Sequence, residues 1–176
     1  MDRMVLADMI AVMKEGLTAA ALMSNGSVKS PKGIKFNGRR NTVSIGAVTP
    51  DSPTALVKQL MNSKVVADPR FCAHVFNPDL WAFLYNLKTN TGDYHFREEM
   101  DKGLLGGFRF RTTVQIPTAT NITDWFFGDW RELLIGDTKF MEFLIDPWSG
   151  VDAGTTALHL IHKTDFALRQ GLAIAH

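Results

Sequence analysis

Along Phe108-Arg109-Phe110-Arg111-Thr112-Thr113-Val114-Gln115-Ile116 the hydrophobic period changes from helical to alternating. Phe108, Phe110, Val114 and Ile116 fall on one face and Arg109, Arg111, Thr113 and Gln115 on the other, the pattern of a half-buried strand that Pro117 ends. Downstream, further strands are expected over 124–127, 131–135, 141–145 and 156–163, with a short one over 172–175. Turns are expected at Gly128-Asp129, Gly136-Asp137 and from Gly150 to Gly154. Upstream the spacing is helical. Val5, Met9, Val12, Leu17 and Ala20 share one face of a helix over 4–23, closed by Asn25-Gly26. A strand over 42–48 precedes a second helix, with Ser52 as its cap, Pro53 in its first turn and an apolar face of Leu56, Val57, Leu60 and Met61. A strand over 71–76 leads to a third helix that Asn77 caps, Pro78 opens and Lys88 closes. Its buried stripe is Leu80, Phe83, Leu84 and Leu87. Helices first and strands afterwards make the fold class α+β.

The chain has 176 residues, a formal net charge of +1 and one cysteine, Cys72. That length supports a substantial core without covalent staples. One cysteine excludes an internal disulfide framework and an all-cysteine zinc site. The near-zero charge argues against whole-protein attraction to nucleic acid or an anionic membrane. No run is long and apolar enough to span a bilayer, and charged residues interrupt the N-terminal region, so a soluble cytoplasmic protein is expected. The charge is unevenly placed, however. From Gly16 to Pro50 there is no acid, while Lys29, Lys32, Lys35, Arg39 and Arg40 give that stretch +5. Such a stretch is either a solvated connection or a surface for an anionic partner.

Catalytic groupings are sparse. Cys72 lies between Phe71 and Ala73, the setting of an inert buried thiol. Ser44-Ile45-Gly46 lacks the first glycine of a nucleophile elbow. His159 and His162 would point to opposite faces of a strand, which opposes a shared metal, and His74 and His95 have no matching ligand spacing. Glu98, Glu99 and Asp101, interleaved with Arg97 and Lys102, read as a solvated face. Gly103, Gly106 and Gly107 do not form a phosphate loop. Arg109 and Arg111 lie opposite the aromatics that a single-strand nucleic-acid platform would need beside them. Asn121-Ile122-Thr123 matches a glycosylation acceptor, without consequence in a cytoplasmic chain. Trp125, Trp130 and Trp148, with Phe126, Phe127, Phe140 and Phe143, form an aromatic-dense segment suited to core and intersubunit surface. No catalytic, cofactor-binding or metal-binding residue is assigned, and no cofactor or small-molecule substrate is expected.

Several segments resemble, in order, the major capsid proteins of tailed bacteriophages. They are Phe76-Asn77-Pro78 through Trp81 with Leu87-Lys88 and Gly92-Asp93-Tyr94, then Leu104-Leu105-Gly106-Gly107 before Pro117. Phe127-Gly128-Asp129-Trp130 with Leu134-Ile135-Gly136-Asp137 looks like that family's "G-D-W/F … I-G-D" hairpin. Thr164-Asp165-Phe166-Ala167-Leu168-Arg169 to Ala173 is similar to its ending. The opening helix, Asn25-Gly26 and Pro31-Lys32-Gly33 complete the series.

The resemblance implies the Hong Kong 97-type shell fold, here without the N-terminal arm and extended loop that precede its spine helix. It implies a peripheral spine helix and basic loop over 1–41, an axial domain over 42–137, and return strands to the peripheral domain over 138–176. The function implied is that of a structural subunit, the C-terminal portion of a phage or prophage major capsid protein, forming an icosahedral shell by self-association. An encapsulin-like compartment subunit is one alternative; a small α+β enzyme or nucleic-acid-binding domain is another. The implied location is the virion capsid, with the host bacterial cytoplasm before assembly. The partners expected are copies of the chain itself and packaged DNA near Lys29, Lys32, Lys35, Arg39 and Arg40, with no membrane partner and no catalytic activity. Without arm and loop, the chain alone is expected to form small oligomers or monomers.

Overall fold

A computed structural model describes residues 3–27, 30–89, 91–119, 122–138 and 141–176. Helix α1 (Arg3–Met23) is followed by a 3-10 turn (Ile34–Phe36) and α2 (Ser52–Asn62). Next come β1 (Cys72–Phe76), α3 (Pro78–Tyr85), α4 (Arg97–Asp101), β2 (Leu104–Leu105) and β3 (Phe108–Thr112). The short strands β4 (Thr118–Ala119) and β5 (Ile122–Thr123) lead into β6 (Trp125–Asp129) and β7 (Leu133–Asp137). The remaining strands are β8 (Glu142–Asp146), β9 (Ala157–Ile161), β10 (Thr164–Leu168) and β11 (Ile174–Ala175).

Five strands form the central sheet in the order β11-β6-β1-β3-β2. β1 runs parallel to β3 and antiparallel to β6, with His74 opposite both Phe110 and Phe127. All five residues of β6 are buried, because both faces of the sheet are covered there. On one face Phe127 joins Leu56 and Leu60 of α2, Leu84 of α3, Phe76 and Leu105. On the other, Phe126 packs with Leu22, Ile34, Ile116 and Ile174. Helix α3 begins as its sequence requires: Asn77 Oδ1 accepts the Asp79 N–H at 2.8 Å, and Asn77 Nδ2 donates to the Ile116 carbonyl at 2.5 Å.

Away from the sheet, β7 and β10 pair antiparallel, Leu133 opposite Leu168 and Asp137 opposite Thr164. The same two chain directions continue in a second ladder, β8 with β9, Phe143 opposite Leu160 and Ile145 opposite Leu158. Thr138 spans the joint by donating its N–H to the Lys163 carbonyl at 3.1 Å.

The α+β class holds, and several local expectations do not. The 42–48 segment is not a strand: it pairs only around Asn41 and Val43, against Ile174 and His176, and then leaves the sheet edge. Ser52 is the first helical residue and not the cap; its Oγ accepts the Thr49 N–H at 2.8 Å while Asp51 occupies the cap position. The strand opened by Phe108 stops at Thr112. Thr113 Oγ1 accepts the Gln115 N–H, and this turn leaves Val114 exposed while Ile116 is fully buried. Phe83 is half exposed, since α3 ends at Tyr85 and only Leu80 and Leu84 face the core fully.

The largest correction concerns the two Gly-Asp pairs. Neither is a turn: Gly128-Asp129 ends β6 and Gly136-Asp137 ends β7, and those strands belong to different sheets. Gly128 serves a close approach instead. A Cβ there would lie 2.4 Å from the Ala173 carbonyl oxygen and 2.7 Å from Ile174 Cα. The expected strand over 156–163 is present as β9 but stops at Ile161, and β10, over Thr164–Leu168, is a further strand beyond those expected.

Candidate functional site

The residues that carry reactive chemistry are spent on structure. Burial, with the Asp129 carboxylate close by, pushes the Cys72 thiol up to about 11, so it stays protonated and inert. Burial pulls His74 down to about 3, and its neutral ring accepts the Trp125 indole N–H at Nδ1, 3.2 Å away, between Phe108 and Phe127. His162 Nε2 lies 2.5 Å from Asp137 at the joint, while His159 sits opposite Leu144 in the next ladder. Glu99 accepts the Gly107 N–H at 2.6 Å and Asp101 accepts the Tyr85 hydroxyl at 3.1 Å, so these carboxylates tie α4 to its surroundings. Among the described residues no three His, Cys, Asp or Glu side chains converge as a metal site, and no helix is long and apolar enough to cross a membrane.

One sizeable groove, about 950 Å³, runs between the 42–48 segment and the β4–β5 hairpin, over Leu80 and Phe83. At its end Asp124 accepts Lys35 Nζ at 2.7 Å and contacts His176 Nε2 at 2.7 Å. Burial pushes the Asp124 carboxyl up, but these two partners together outweigh it and hold the group below the usual aspartate value. Asp124, Lys35 and His176 thus hold one another at the end of a largely apolar trough.

The described cations of the acid-free stretch differ in their surroundings. Lys29 and the glycosylation-type Asn121 lie outside the described residues, as does Phe140 of the aromatic segment. Lys35 is taken by Asp124. Lys32 and Arg39 are exposed, and Arg40 is half-buried with Nη1 donating to the Asn37 carbonyl at 3.0 Å. Arg109 and Arg111 stand exposed on β3 while Phe110 turns inward onto Phe76. Trp125, Phe126 and Phe127 are core, and Trp130 donates its indole N–H to Ala73 O at 2.9 Å; Trp148 is 82 % exposed.

Trp148 lies just beyond β8, next to the surface that stands out. The β8–β9 ladder places Phe143, Ile145, Leu158 and Leu160 on one face, and among the described residues the ladder pairs with no third strand. On that face Ile145 is more than half exposed and Leu158 more than a third, while Phe143 and Leu160 are half-buried; on the other face Leu144 and Ile161 are exposed as well. A lone two-stranded hairpin is marginal in water, so an apolar one of this kind calls for cover. On α1 only Leu22 is buried, leaving Val5, Leu6 and Val12 exposed. The alternating pattern at 141–145 and 158–160 signalled apolar strands, but not that they would pair with no third strand among the described residues.

Comparison with known proteins gives a family and a fold. The model of the phage capsid family matches residues 1–176. The capsid protein of a native GTA particle superposes with a TM-score of 0.75 at 21 % identity, covering 98 % of this chain and 63 % of that one. A chain from Mycobacterium phage Bobi superposes with a TM-score of 0.65 at 14 % identity, covering 97 % of this chain and 64 % of that one. The holo-SrpI encapsulin complex from Synechococcus elongatus gives 0.61 at 16 % identity, covering 97 % and 62 %. The chain thus spans less than two thirds of the length of each. No curated protein matches.

Proposed function

The chain belongs to the phage capsid family, and from that membership we propose that it serves as a structural subunit of a phage or prophage major capsid, building an icosahedral shell by self-association. The observation that carries this reading is the apolar face of the β8–β9 ladder, where exposed Ile145 and Leu158 lie beside half-buried Phe143 and Leu160. A second copy is the cover it requires. A stable contact of this kind buries roughly 1,200–2,000 Å² in total, which the ladder reaches only together with a further surface such as the exposed flank of α1.

In this reading 1–41 and 138–176 form the peripheral part of the subunit and 42–137 the axial part. The function is non-catalytic and needs no cofactor. The protein resides in the virion capsid and, before assembly, in the host cytoplasm. The acid-free stretch from Lys29 to Arg40 faces packaged DNA. An encapsulin-like compartment subunit would use the same fold and the same contacts, but the family match favours the capsid.

Sedimentation velocity over a concentration series tests the self-association. The expected result is a concentration-dependent set of small oligomers that collapses to monomer in the double variant Ile145→Ser/Leu158→Ser. Both positions are already solvent-exposed, so the melt of the monomer should move little. A double variant that associates as the parent does refutes the ladder as the contact between copies.

A further inference from the structure

Distant parts of the sequence meet in a cleft of about 470 Å³ between the loop after α1 and the turn after β10. One wall is Gly38, Arg39 and Arg40; the other is Arg169, Gln170 and Gly171. The walls touch because of a glycine. A Cβ at Gly171 would fall 2.4 Å from Arg39 Cβ and 2.9 Å from its carbonyl oxygen. Asn41 Nδ2 pins the same junction by donating to the Leu172 carbonyl at 2.7 Å.

Three arginines therefore line the cleft, and one carboxylate, Glu132, pairs with one of them. Arg169 forks onto Glu132, Nε to Oε2 at 2.8 Å and Nη2 to Oε1 at 2.5 Å, yet its side chain remains 67 % exposed. That fork uses two of the five N–H donors a guanidinium carries. Among the described residues neither Arg39 nor Arg40 lies within ion-pair distance of an acid. The Arg40 Nε is buried and has no hydrogen-bond partner among them. Unneutralised like charges held together attract an anion, and the planar fork of arginine fits the oxygens of a phosphate better than a lysine ammonium does.

We propose that the Arg39–Arg40–Arg169 cleft binds a backbone phosphate of nucleic acid. The proposal rests on the shell-subunit reading and its DNA-facing stretch, and it sharpens that stretch in two ways. Lys35, held by Asp124, takes no part, whereas Arg169, remote in sequence, does.

The test is fluorescence anisotropy of a labelled DNA duplex titrated with the full chain at several salt concentrations. Removing one phosphate-binding cation should reduce the slope of log K against log salt by about 0.9, which is roughly an 8-fold drop in affinity near 0.1 M salt. Arg39→Gln, at an exposed position, should show that drop, and Arg40→Gln should add to it, with circular dichroism verifying the fold. Lys32→Gln, outside the cleft, should leave the slope unchanged if the cleft holds the phosphate. A slope that falls with Lys32→Gln and not with the cleft variants overturns the cleft and leaves the DNA-facing stretch standing. No duplex binding at low salt overturns both. Perturbation of the Arg39 and Arg169 Nε–H resonances by inorganic phosphate without duplex binding assigns a small-anion site and overturns the nucleic-acid proposal.

Discussion

Replacing Gly128 by alanine adds one methyl group where the chain has no room for it. The added carbon would meet the Ala173 carbonyl oxygen at 2.4 Å, Ile174 Cα at 2.7 Å and Ile174 Cγ1 at 2.9 Å. Two of these are backbone atoms, which no rotamer change can move aside. The sheet can respond by local distortion, which for overpacked cores costs about 1–3 kcal/mol. Alternatively it can release β11. Release exposes Ile174, fully buried against Leu22, Ile34, Ile116 and Phe126, at about 1.5–3 kcal/mol. It also breaks ladder hydrogen bonds worth about 1 kcal/mol each. The cheaper response sets the outcome, so a destabilisation of about 1–3 kcal/mol is expected. For a chain of this size that corresponds to a fall in Tm of roughly 2–12 °C.

Gly136→Ala is the matched control. It too precedes an aspartate at the end of a strand, but its Cβ would meet only the Asp165 carbonyl oxygen at 3.7 Å, an ordinary contact. Thermal denaturation followed by circular dichroism compares the two, and hydrogen exchange at the amides of 172–176 shows whether β11 has let go. Equal melting temperatures for the two variants would refute the reasoning.

Two further expectations concern the core and acid. Leu84→Ala, at a fully buried position, should cost about 2–5 kcal/mol, while Phe83→Ser one residue earlier should cost far less; comparable urea midpoints would contradict the assigned face of α3. Stability should also fall with acid in two stages. His74 is neutral in the fold down to about pH 3 but titrates near 6.5 when unfolded, so the unfolded chain binds the extra proton first and about 1.4 kcal/mol is lost by pH 5.5. Below about pH 4.5 the carboxylates add to this. Asp129, hydrogen-bonded by Arg131, and Glu132, hydrogen-bonded by Arg169, are held below their usual values, so their contribution is full above that pH and is lost as pH falls. A urea midpoint that is flat between pH 6.5 and 5, or a His74 ring signal titrating near 6.5, would contradict the first stage.

Local signals were legible where the residues that make the structure adjoin one another in the chain. Asn77-Pro78-Asp79 announced the start of α3 because a cap, a proline and an acid act within one turn. Asn25-Gly26 marked the end of α1 because a glycine, here at φ +73°, can close a helix. Gly128 misled because glycine serves tight turns and close approaches alike, and only the partner, Ile174, distinguishes them. For the same reason β6 and β7 looked like a hairpin, although each pairs with a strand far along the chain. Lys35 read as a free cation because its acid lies 89 residues away, and Arg169 drew no notice until folding set it beside Arg39. The apolar alternation of β8 and β9 was visible, but alternation says nothing about which face finds a neighbour.

The position of β11 also bears on how the chain is made. Phe126 and Ile116 share a core with Ile174, yet nearly fifty residues separate β6 from β11. At about 5–20 residues per second, a ribosome needs roughly 3–10 s to cover that interval. During that time β6 presents an open hydrogen-bonding edge and a ready-made apolar slot at Gly128. Nascent chains on one message would hold these edges close together, where each is a template for the wrong strand. The residues from Gly171 to Ala175 thus act as a latch, and the interval before it closes is when synthesis in bulk is most exposed to misassembly.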